Sequence, residues 1–425
     1  WPGEHDLGCL DHGVGAVGAA GKLNWCDPAV GGVENPGYAT HGSTVMFGQL
    51  GSPARSAALP ALAVTLVALA LPLTDTLAWQ QLPLSLLGPL AVAVAAGAII
   101  SRRAAGIAGA FVALAGVATG AVAATWLVHA DSLTGHASWG FWCYVLALGL
   151  LVWRSMSAFS KARSQRKVLS QIFRLLVPGI FGIWLIVLWE LVVVGFGVPR
   201  ILLPAPSMIG DVFVESGRML TADFHQTVIR SVIPGFVMGN VAGFLIAVIV
   251  ERVMFLKRGL LPLGNLISAI PIVGIAPIMV MWFGFDWQSK AAVVVIMTFF
   301  PMLVNTVIGL SESTNIEIDL MRSYGARYWQ EFFRLRLPNA LPFVFNALKI
   351  NSTLALIGAI VAEFFGTPIV GMGFRISTEV GRMSLETVWA TIAVAALSGS
   401  SFYGLLALLE RRVTFWHASF HASRS

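Results

Sequence analysis

The sequence predicts an all-α polytopic membrane protein with about ten membrane-spanning helices. Of its 425 residues, 57% are hydrophobic and only 11% are charged, whereas soluble domains carry roughly 25% charged residues. The mean hydropathy is +0.79. The apolar residues also form runs close to the ~20 residues that one helical crossing of a bilayer requires. Composition and pattern therefore exclude a soluble protein and favour a bundle of membrane helices.

The segment 1–45 does not follow this pattern. It begins with Trp1, contains no methionine and has no apolar run long enough to span a membrane or to act as a signal peptide. Met46 is the first methionine, and an apolar run begins shortly after it. We therefore expect 1–45 to be an unstructured or non-native upstream segment.

Three residues of this segment, Cys9, His12 and Cys26, are of types that bind metals. A fourth ligand and paired Cys-x-x-Cys spacing are both missing, and structural zinc sites need four ligands. We therefore predict no metal site.

Residues 46–160 form a first membrane block with four predicted spans. Arg102 and Arg103 follow the second span, and Lys161 begins a basic linker after the fourth span. Since Lys and Arg concentrate in cytoplasmic loops, both places are expected in the cytoplasm. Runs of Gly and Ala predict close helix packing rather than a ligand site. The four spans lie near 57–77, 82–101, 104–128 and 139–156.

The basic linker 161–173 leads into a second block, residues 174–425, with six predicted spans. Basic residues again mark alternate turns, at Arg252 with Lys257 and at Arg411. This charge pattern places both termini in the cytoplasm. Because the basic residues lie at the ends of spans rather than in one patch, nucleic-acid binding is excluded. The six spans lie near 175–197, 228–250, 260–283, 291–310, 341–365 and 387–409.

A polar segment, Asp319–Pro338, separates two of these spans on the predicted cytoplasmic side. Tyr324, Tyr328 and Phe332 recur at every fourth residue, and Trp329 lies beside them. This spacing predicts a short amphipathic helix with an aromatic face suited to docking. A glycine just before the helix, Gly325, predicts a turn with a positive φ angle.

The same segment resembles the EAA loop of the membrane subunits of binding-protein-dependent ABC importers. The resemblance depends on the triplet Asp319-Leu320-Met321, on Gly325 and on the closing Leu-Arg-Leu-Pro. Leu320 and Met321 replace the two alanines of the family triplet. The resemblance implies that the loop couples the chain to a cytoplasmic ATPase. The residues assigned to this coupling are Asp319, Gly325, Ala326, Tyr328, Trp329, Phe332, Leu335, Leu337 and Pro338.

Further motifs extend the resemblance over about residues 174–420. In chain order they are Trp189-Glu190, Leu203-Pro204-Ala205-Pro206-Ser207, Ile270-Pro271 to Phe283-Gly284, Ser289-Lys290, Phe300-Pro301 with Asn305, Val361-Ala362-Glu363 and Gly371-Met372-Gly373.

These motifs are similar to permeases of the nitrate, sulfonate and taurine branch. They imply an inner-membrane permease subunit that works as a homodimer or beside a related permease and takes solute from an extracytoplasmic binding protein. The implied solute is a nitrate-, sulfonate- or taurine-like anion, or a related nitrogen or sulfur metabolite. The first four spans lie outside the resemblance.

Polar residues and prolines within the second block are candidates for lining a solute pathway. Buried carboxylates are costly in lipid and usually face a cavity or the bundle interior, and proline frees backbone carbonyls. Bent packed helices and interhelical hydrogen bonds are the alternative interpretations. The candidates are Glu190, Pro271, Pro277, Asn305, Asn351 and Glu363.

A self-contained secondary carrier, a channel or an intramembrane enzyme is the competing hypothesis. The sequence has no Gly-x-x-x-x-Gly-Lys-[Ser/Thr] phosphate loop, because Lys22 is followed by Leu23 and the first glycine is missing. No nucleophile with a base and no His-Glu-x-x-His pair is evident. The two blocks also lack the matched halves of many carriers. We therefore expect a transport subunit, not an enzyme, that binds no cofactor and relies on ATP bound to a partner.

Overall fold

The structure is a computed structural model that describes residues 57–74, 79, 85–100, 106–130, 133–161, 167–253, 255–256, 259, 271–366 and 369–416. Within these ranges the chain is helical and contains no strand. The segment 1–45, with Cys9, His12 and Cys26, lies outside the described residues.

A first bundle contains four helices that each pack on neighbours in the chain. Tyr144 of the fourth helix donates a hydrogen bond to the Gly120 carbonyl of the third at 2.7 Å. A Cβ atom on Gly116 would lie 2.6 Å from the Cβ atom of Ala95, so small residues let these helices approach closely. The helices are α1 (Ala58–Ala70), α2 (Leu87–Ile100), α3 (Gly106–Val128) and α4 (Trp139–Lys161).

Helix α5 (Lys167–Gly195) packs on this bundle and connects it to the rest of the chain. Its Phe173 and Ile180 belong to the same buried apolar core as residues of α1 to α4. The connection between α4 and α5 is shorter than the predicted linker 161–173, because α4 ends at Lys161 and α5 begins at Lys167. Helix α5 already begins at Lys167, because apolar residues at helical spacing resume with Val168.

The helices that follow α5 in the described residues include four long ones and several short ones. A π-helical segment, His225–Val232, joins α7 to α8, and a second one, Phe332–Arg336, joins α12 to α13. The helices are α6 (Pro206–Glu215), α7 (Gly217–Phe224), α8 (Ile233–Arg252), α9 (Ile272–Phe283), α10 (Trp287–Leu310), α11 (Asn315–Ser323), α12 (Tyr328–Glu331), α13 (Leu337–Phe364), α14 (Met372–Gly381) and α15 (Leu385–Val413).

Helix α10 lies between α8 and α13 and packs along both. Three glycines of α8 make its contact with α10 close: a Cβ atom on Gly235, Gly239 or Gly243 would clash with α10 backbone atoms. A Cβ atom on Gly243, for example, would lie 2.5 Å from the Phe299 carbonyl oxygen. Small residues at every fourth position therefore set the distance between these two helices.

The helices agree with the predicted spans. Among the described residues, seven helices are long and apolar enough to cross a membrane. Three shorter apolar helices, Ala58–Ala70, Leu87–Ile100 and Ile272–Phe283, lie within the other three predicted spans. The first and last spans of the second block are confirmed by α5 and α15. The prediction of an all-helical polytopic membrane protein is confirmed.

The glycines of α8 give a direct test of this packing. Gly239→Ala should lower the melting temperature in detergent, because overpacking a tight contact costs typically 1–3 kcal/mol. Gly404→Ala on α15 is the matched control. A Cβ atom there meets nothing within 4 Å, and alanine favours helix over glycine by about 1 kcal/mol. Equal melting temperatures for the two variants would contradict the close α8–α10 contact.

Candidate functional site

The Asp319–Pro338 segment folds as two short helices with a turn between them. Helix α11 begins with a capping box, in which Thr314 and Glu317 bond each other's backbone N–H groups. It ends at a Schellman motif: the Gly325 N–H donates to the Arg322 carbonyl at 2.9 Å, and the Ala326 N–H donates to the Met321 carbonyl at 3.1 Å. Gly325 has the predicted positive φ, +75°.

Helix α11 has no buried residue. Ile316, Leu320 and Tyr324 are 82%, 58% and 85% exposed, and their spacing of four places them on one side of the helix. Asp319 is exposed beside them. We call Ile316, Leu320 and Tyr324 the α11 stripe. The predicted aromatic face began at Tyr324, and the same four-residue spacing continues back through Leu320 to Ile316.

The aromatic residues that follow the turn do not share one face. Phe332 is 3% exposed and packs with Leu310 and Ala340 inside the chain. Its ring is thus covered within this chain, and its contact with a partner stays a prediction. Tyr328 is half-buried against the same apolar cluster, while Trp329 remains 53% exposed. These aromatic residues differ in exposure because α12 continues into α13 as one helix. The inner face of that helix packs on the core, and its outer face stays exposed.

Leu335, Leu337 and Pro338 are half-buried where this helix enters the core. Pro338 lies in the first turn of α13, within the continuous helix from Tyr328 to Phe364. Its missing N–H removes one backbone donor where the π-helical segment passes into α13.

Charged residues tie the segment to the end of α8. Arg336 donates to Glu251, and its guanidinium also lies 2.5 Å from the Glu331 carboxylate. Arg322 of α11 lies 3.7 Å from Glu331. These four residues, Glu251, Arg322, Glu331 and Arg336, are called the loop-end ion cluster. The end of the helix bundle where this cluster lies is called the loop end. Next to it, the Arg252 guanidinium lies 4.1 Å from the centre of the Tyr328 ring and 4.4 Å from that of Trp329, as in cation–π contacts.

A second polar cluster lies at the opposite, far end of the helices. Glu363, 2% exposed, accepts hydrogen bonds from the Thr227 hydroxyl at 2.8 Å and from the Gly373 N–H at 2.6 Å. Asp223 accepts from the Gly371 N–H at 2.9 Å and from Arg375 at 2.8 Å. These bonds hold the start of α14 against the π-helical segment. Glu363 therefore ties α13 to the π-helical segment and to α14, and its role in a solute pathway stays a prediction.

Glu190 is also engaged within the chain. It accepts hydrogen bonds from the Ser207 N–H at 2.9 Å and from the Ser207 hydroxyl at 2.7 Å, at the start of α6. The His129 Nε2 atom, which follows α3, lies 3.0 Å from the same carboxylate. Glu190 thus joins the first bundle to α6, and its role in a solute pathway stays a prediction.

The amide of Asn351 connects three helices. It donates to Asn240 of α8 at 2.6 Å and to the Thr298 carbonyl of α10 at 2.7 Å. Asn351 is fully buried, so interhelical bonding, not solute contact, is its observed use. Asn305 is half-buried and donates to the Pro301 carbonyl of its own helix at 2.8 Å.

The two prolines predicted to lie within the pathway differ in position. Pro277 is inside α9 and half-buried. Pro271 precedes α9 and is exposed. It therefore marks the beginning of the described helix α9, and its role in a solute pathway stays a prediction.

Comparison with known proteins points to one family. The family described as "Binding-protein-dependent transport system inner membrane component" matches residues 239–415. The chain is 30% identical over 238 residues to the riboflavin transport system permease protein RibX of Chloroflexus aurantiacus, which covers 55% of this chain and 88% of that protein. It is 32% identical over 247 residues to the formylaminopyrimidine transport permease protein ThiX of Halalkalibacterium halodurans, with coverage of 57% and 97%.

The putative aliphatic sulfonates transport permease protein SsuC of Bacillus subtilis is 27% identical over 250 residues, with coverage of 58% and 88%. Each of these relatives therefore aligns over most of its own length with little more than half of this chain.

The far-end cluster predicts a specific weakness. Asp223→Asn should lower the melting temperature and speed hydrogen exchange at residues 369–375, because removing one member of a buried ion pair costs roughly 3–5 kcal/mol. Glu215→Gln, which changes an exposed carboxylate on α6, is the control. If Asp223→Asn exchanges like the control, Asp223 does not hold α14 in place.

Proposed function

The chain belongs to the family of binding-protein-dependent transport system inner membrane components, and we propose that it is the permease subunit of an ATP-driven importer. It is a multi-pass membrane transport subunit. In this proposal a separate ABC ATPase hydrolyses ATP, an extracytoplasmic binding protein delivers the solute, and this chain binds no cofactor itself.

The observation that carries the proposed coupling is the exposure of α11. A helix with no buried residue and an apolar stripe is expected to be covered by a partner, because interface cores are rich in aromatic and aliphatic anchors. The α11 stripe would fill a groove on the ATPase, with Asp319 beside it. Trp329 is exposed on the other side of the Gly325 turn and can widen the contact.

We place the loop end in the cytoplasm. Arg322, Arg327, Arg334 and Arg336 lie in this segment, and Arg252 and Arg411 end α8 and α15, which agrees with the positive-inside rule. Both termini then lie on the cytoplasmic side. The far end, with α6, α7 and α14, faces the binding protein.

The proposed solute is a small anion of the nitrate, sulfonate or taurine kind, or a related nitrogen or sulfur metabolite. Sulfonate, taurine and bicarbonate appear in the names of relatives, as do riboflavin and formylaminopyrimidine. Two half-buried cations of this chain are paired within it, Lys349 with Glu410 at 2.8 Å and Arg375 with Asp223. The buried Lys290 donates to the backbone carbonyls of Phe285 and Asp286. Because these three cations already have partners in the chain, we expect hydrogen-bond donors to contribute to recognition of the solute.

We also propose that two permeases form the pathway together, either two copies of this chain or this chain and a related one. Exposed apolar side chains run along α8, at Val237, Val241 and Leu245. This face can meet lipid or a second permease.

ATP-dependent uptake by proteoliposomes that contain the permease, the ATPase and the binding protein tests the whole proposal. Uptake without the ATPase would favour a self-contained carrier or channel.

The α11 stripe provides the first functional test. The double variant Leu320→Ala, Tyr324→Ala should retain less than a tenth of the ATPase on co-purification, because a buried interface anchor is worth ~2 kcal/mol or more. Ile201→Ala, Leu202→Ala removes two exposed apolar side chains at the far end and should leave binding unchanged. Full co-purification of the ATPase with the α11 double variant would contradict docking through this stripe.

The second test concerns residues 46–160, which we propose are a peripheral bundle outside the pathway. The bundle contacts the rest of the described chain mainly through α5 and the His129–Glu190 pair, and the relatives leave no length for it.

A chain starting at Lys167 keeps its orientation, because an even number of spans is removed. It should insert, bind the ATPase and retain part of the uptake, with a lower melting temperature because α5 loses its packing. Full-length His129→Ala, which loses the Glu190 contact and a local contact with the Thr125 carbonyl, should be near wild type. A truncated chain that binds the ATPase but transports nothing would show that the bundle belongs to the mechanism.

A further inference from the structure

The two longest helices of the second block run in opposite directions, both packed on α10, and polar side chains link them directly at three places. One is continuous from Gly217 to Arg252 and the other from Tyr328 to Phe364. Three links join them: Glu251 to Arg336 at the loop end, Asn240 to Asn351 in the middle, and Thr227 to Glu363 at the far end.

The order of these links follows the antiparallel course of the helices. The partners of Thr227, Asn240 and Glu251 occur in reverse order along the second helix. The intervals of 11 to 15 residues correspond to roughly 16–23 Å at 1.5 Å per residue. The links are therefore spread over the full depth of the membrane-spanning part.

The loop-end link differs from the other two because it includes the docking segment. Arg336 is 15% exposed and contacts Glu251 of α8 and Glu331 of α12 at once. Glu331 in turn contacts Arg322, the last charged residue of α11. A chain of ion pairs thus leads from α11 to the end of α8.

Helix α8 has no covalent route to α11 except through α9, α10 and their connections. Helix α13, in contrast, continues directly from α12. A displacement of α11 would therefore move α13 through the backbone. Among the described residues its charged route to α8 is the loop-end ion cluster with the adjacent Arg252 ring contacts, beside the apolar packing of Val248 of α8 near Tyr328 and Phe332.

We propose that Glu251, Glu331 and Arg336 are positioning residues that make α8 and α13 move as one unit when the ATPase displaces α11. The proposal depends on the proposed function, because it assumes that α11 receives the ATPase. Through the Thr227–Glu363 link, the same unit reaches Gly371–Gly373 at the start of α14. Movement at the loop end would thus reach the face that receives the binding protein.

Neutralising the ion cluster tests the proposal. Glu251→Gln and Arg336→Gln should bind the ATPase within twofold of wild type, since the α11 stripe is intact, and ATP hydrolysis should persist. Solute uptake per ATP hydrolysed in proteoliposomes should fall at least tenfold. Arg334→Gln changes an exposed arginine of the same π-helical segment that makes no ion pair within the described ranges, and it should behave like wild type.

A covalent replacement separates transmission from folding. The double variant Glu251→Cys, Arg336→Cys should be uncoupled until a short bifunctional thiol reagent joins the two positions, and it should then regain uptake. If Arg336→Gln fails to fold, recovery of uptake by the cross-linked double variant still tests whether the Glu251–Arg336 link transmits the movement. Unchanged uptake per ATP in both neutral variants, or no recovery after cross-linking, would overturn the proposal. Wild-type uptake that needs no ATPase would instead overturn the proposed function.

Discussion

A polar side chain buried among membrane helices must find a partner, and the arrangement of the second block depends on this requirement. An unpaired charge or amide in hydrocarbon costs several kcal/mol. Glu363, Asn351 and Lys349 accordingly bond residues on other helices. Apolar surfaces are interchangeable in lipid, because lipid tails are as apolar as leucine. Specific polar pairs therefore determine which helices are neighbours and in which register.

Close packing by small residues adds a second constraint, in a different direction. Gly235, Gly239 and Gly243 bring α8 against α10, so α8 cannot rotate about its axis without a backbone clash. The polar links to α13 resist sliding along the axis, because each link would break. A helix held against both rotation and sliding behaves as a rigid element, which is what transmission from one membrane face to the other requires.

Hydropathy and local backbone chemistry were readable from the sequence. The apolar runs located the helices, and Gly325 revealed its turn, because both signals depend on neighbouring residues alone. Side-chain partners were not readable. Thr227 and Glu363 are 136 residues apart, so nothing local indicated that this carboxylate would bind a hydroxyl and a backbone N–H. Phe332 was assigned to a docking face for the same reason: spacing shows which residues share a face, but not what covers it.

The docking helix combines short length with complete exposure. Isolated helices shorter than about 12–15 residues are marginal in water, and α11 has nine residues and no buried side chain. Its order comes from its ends, the Thr314–Glu317 capping box and the Schellman motif at Gly325. Caps of this kind contribute on the order of 1 kcal/mol each, enough to favour the helix but not to fix its direction. The Arg322–Glu331 contact, at 3.7 Å, adds a link between α11 and the ion cluster that joins the loop to α8, so the docking helix is in charged contact with the segment that follows it.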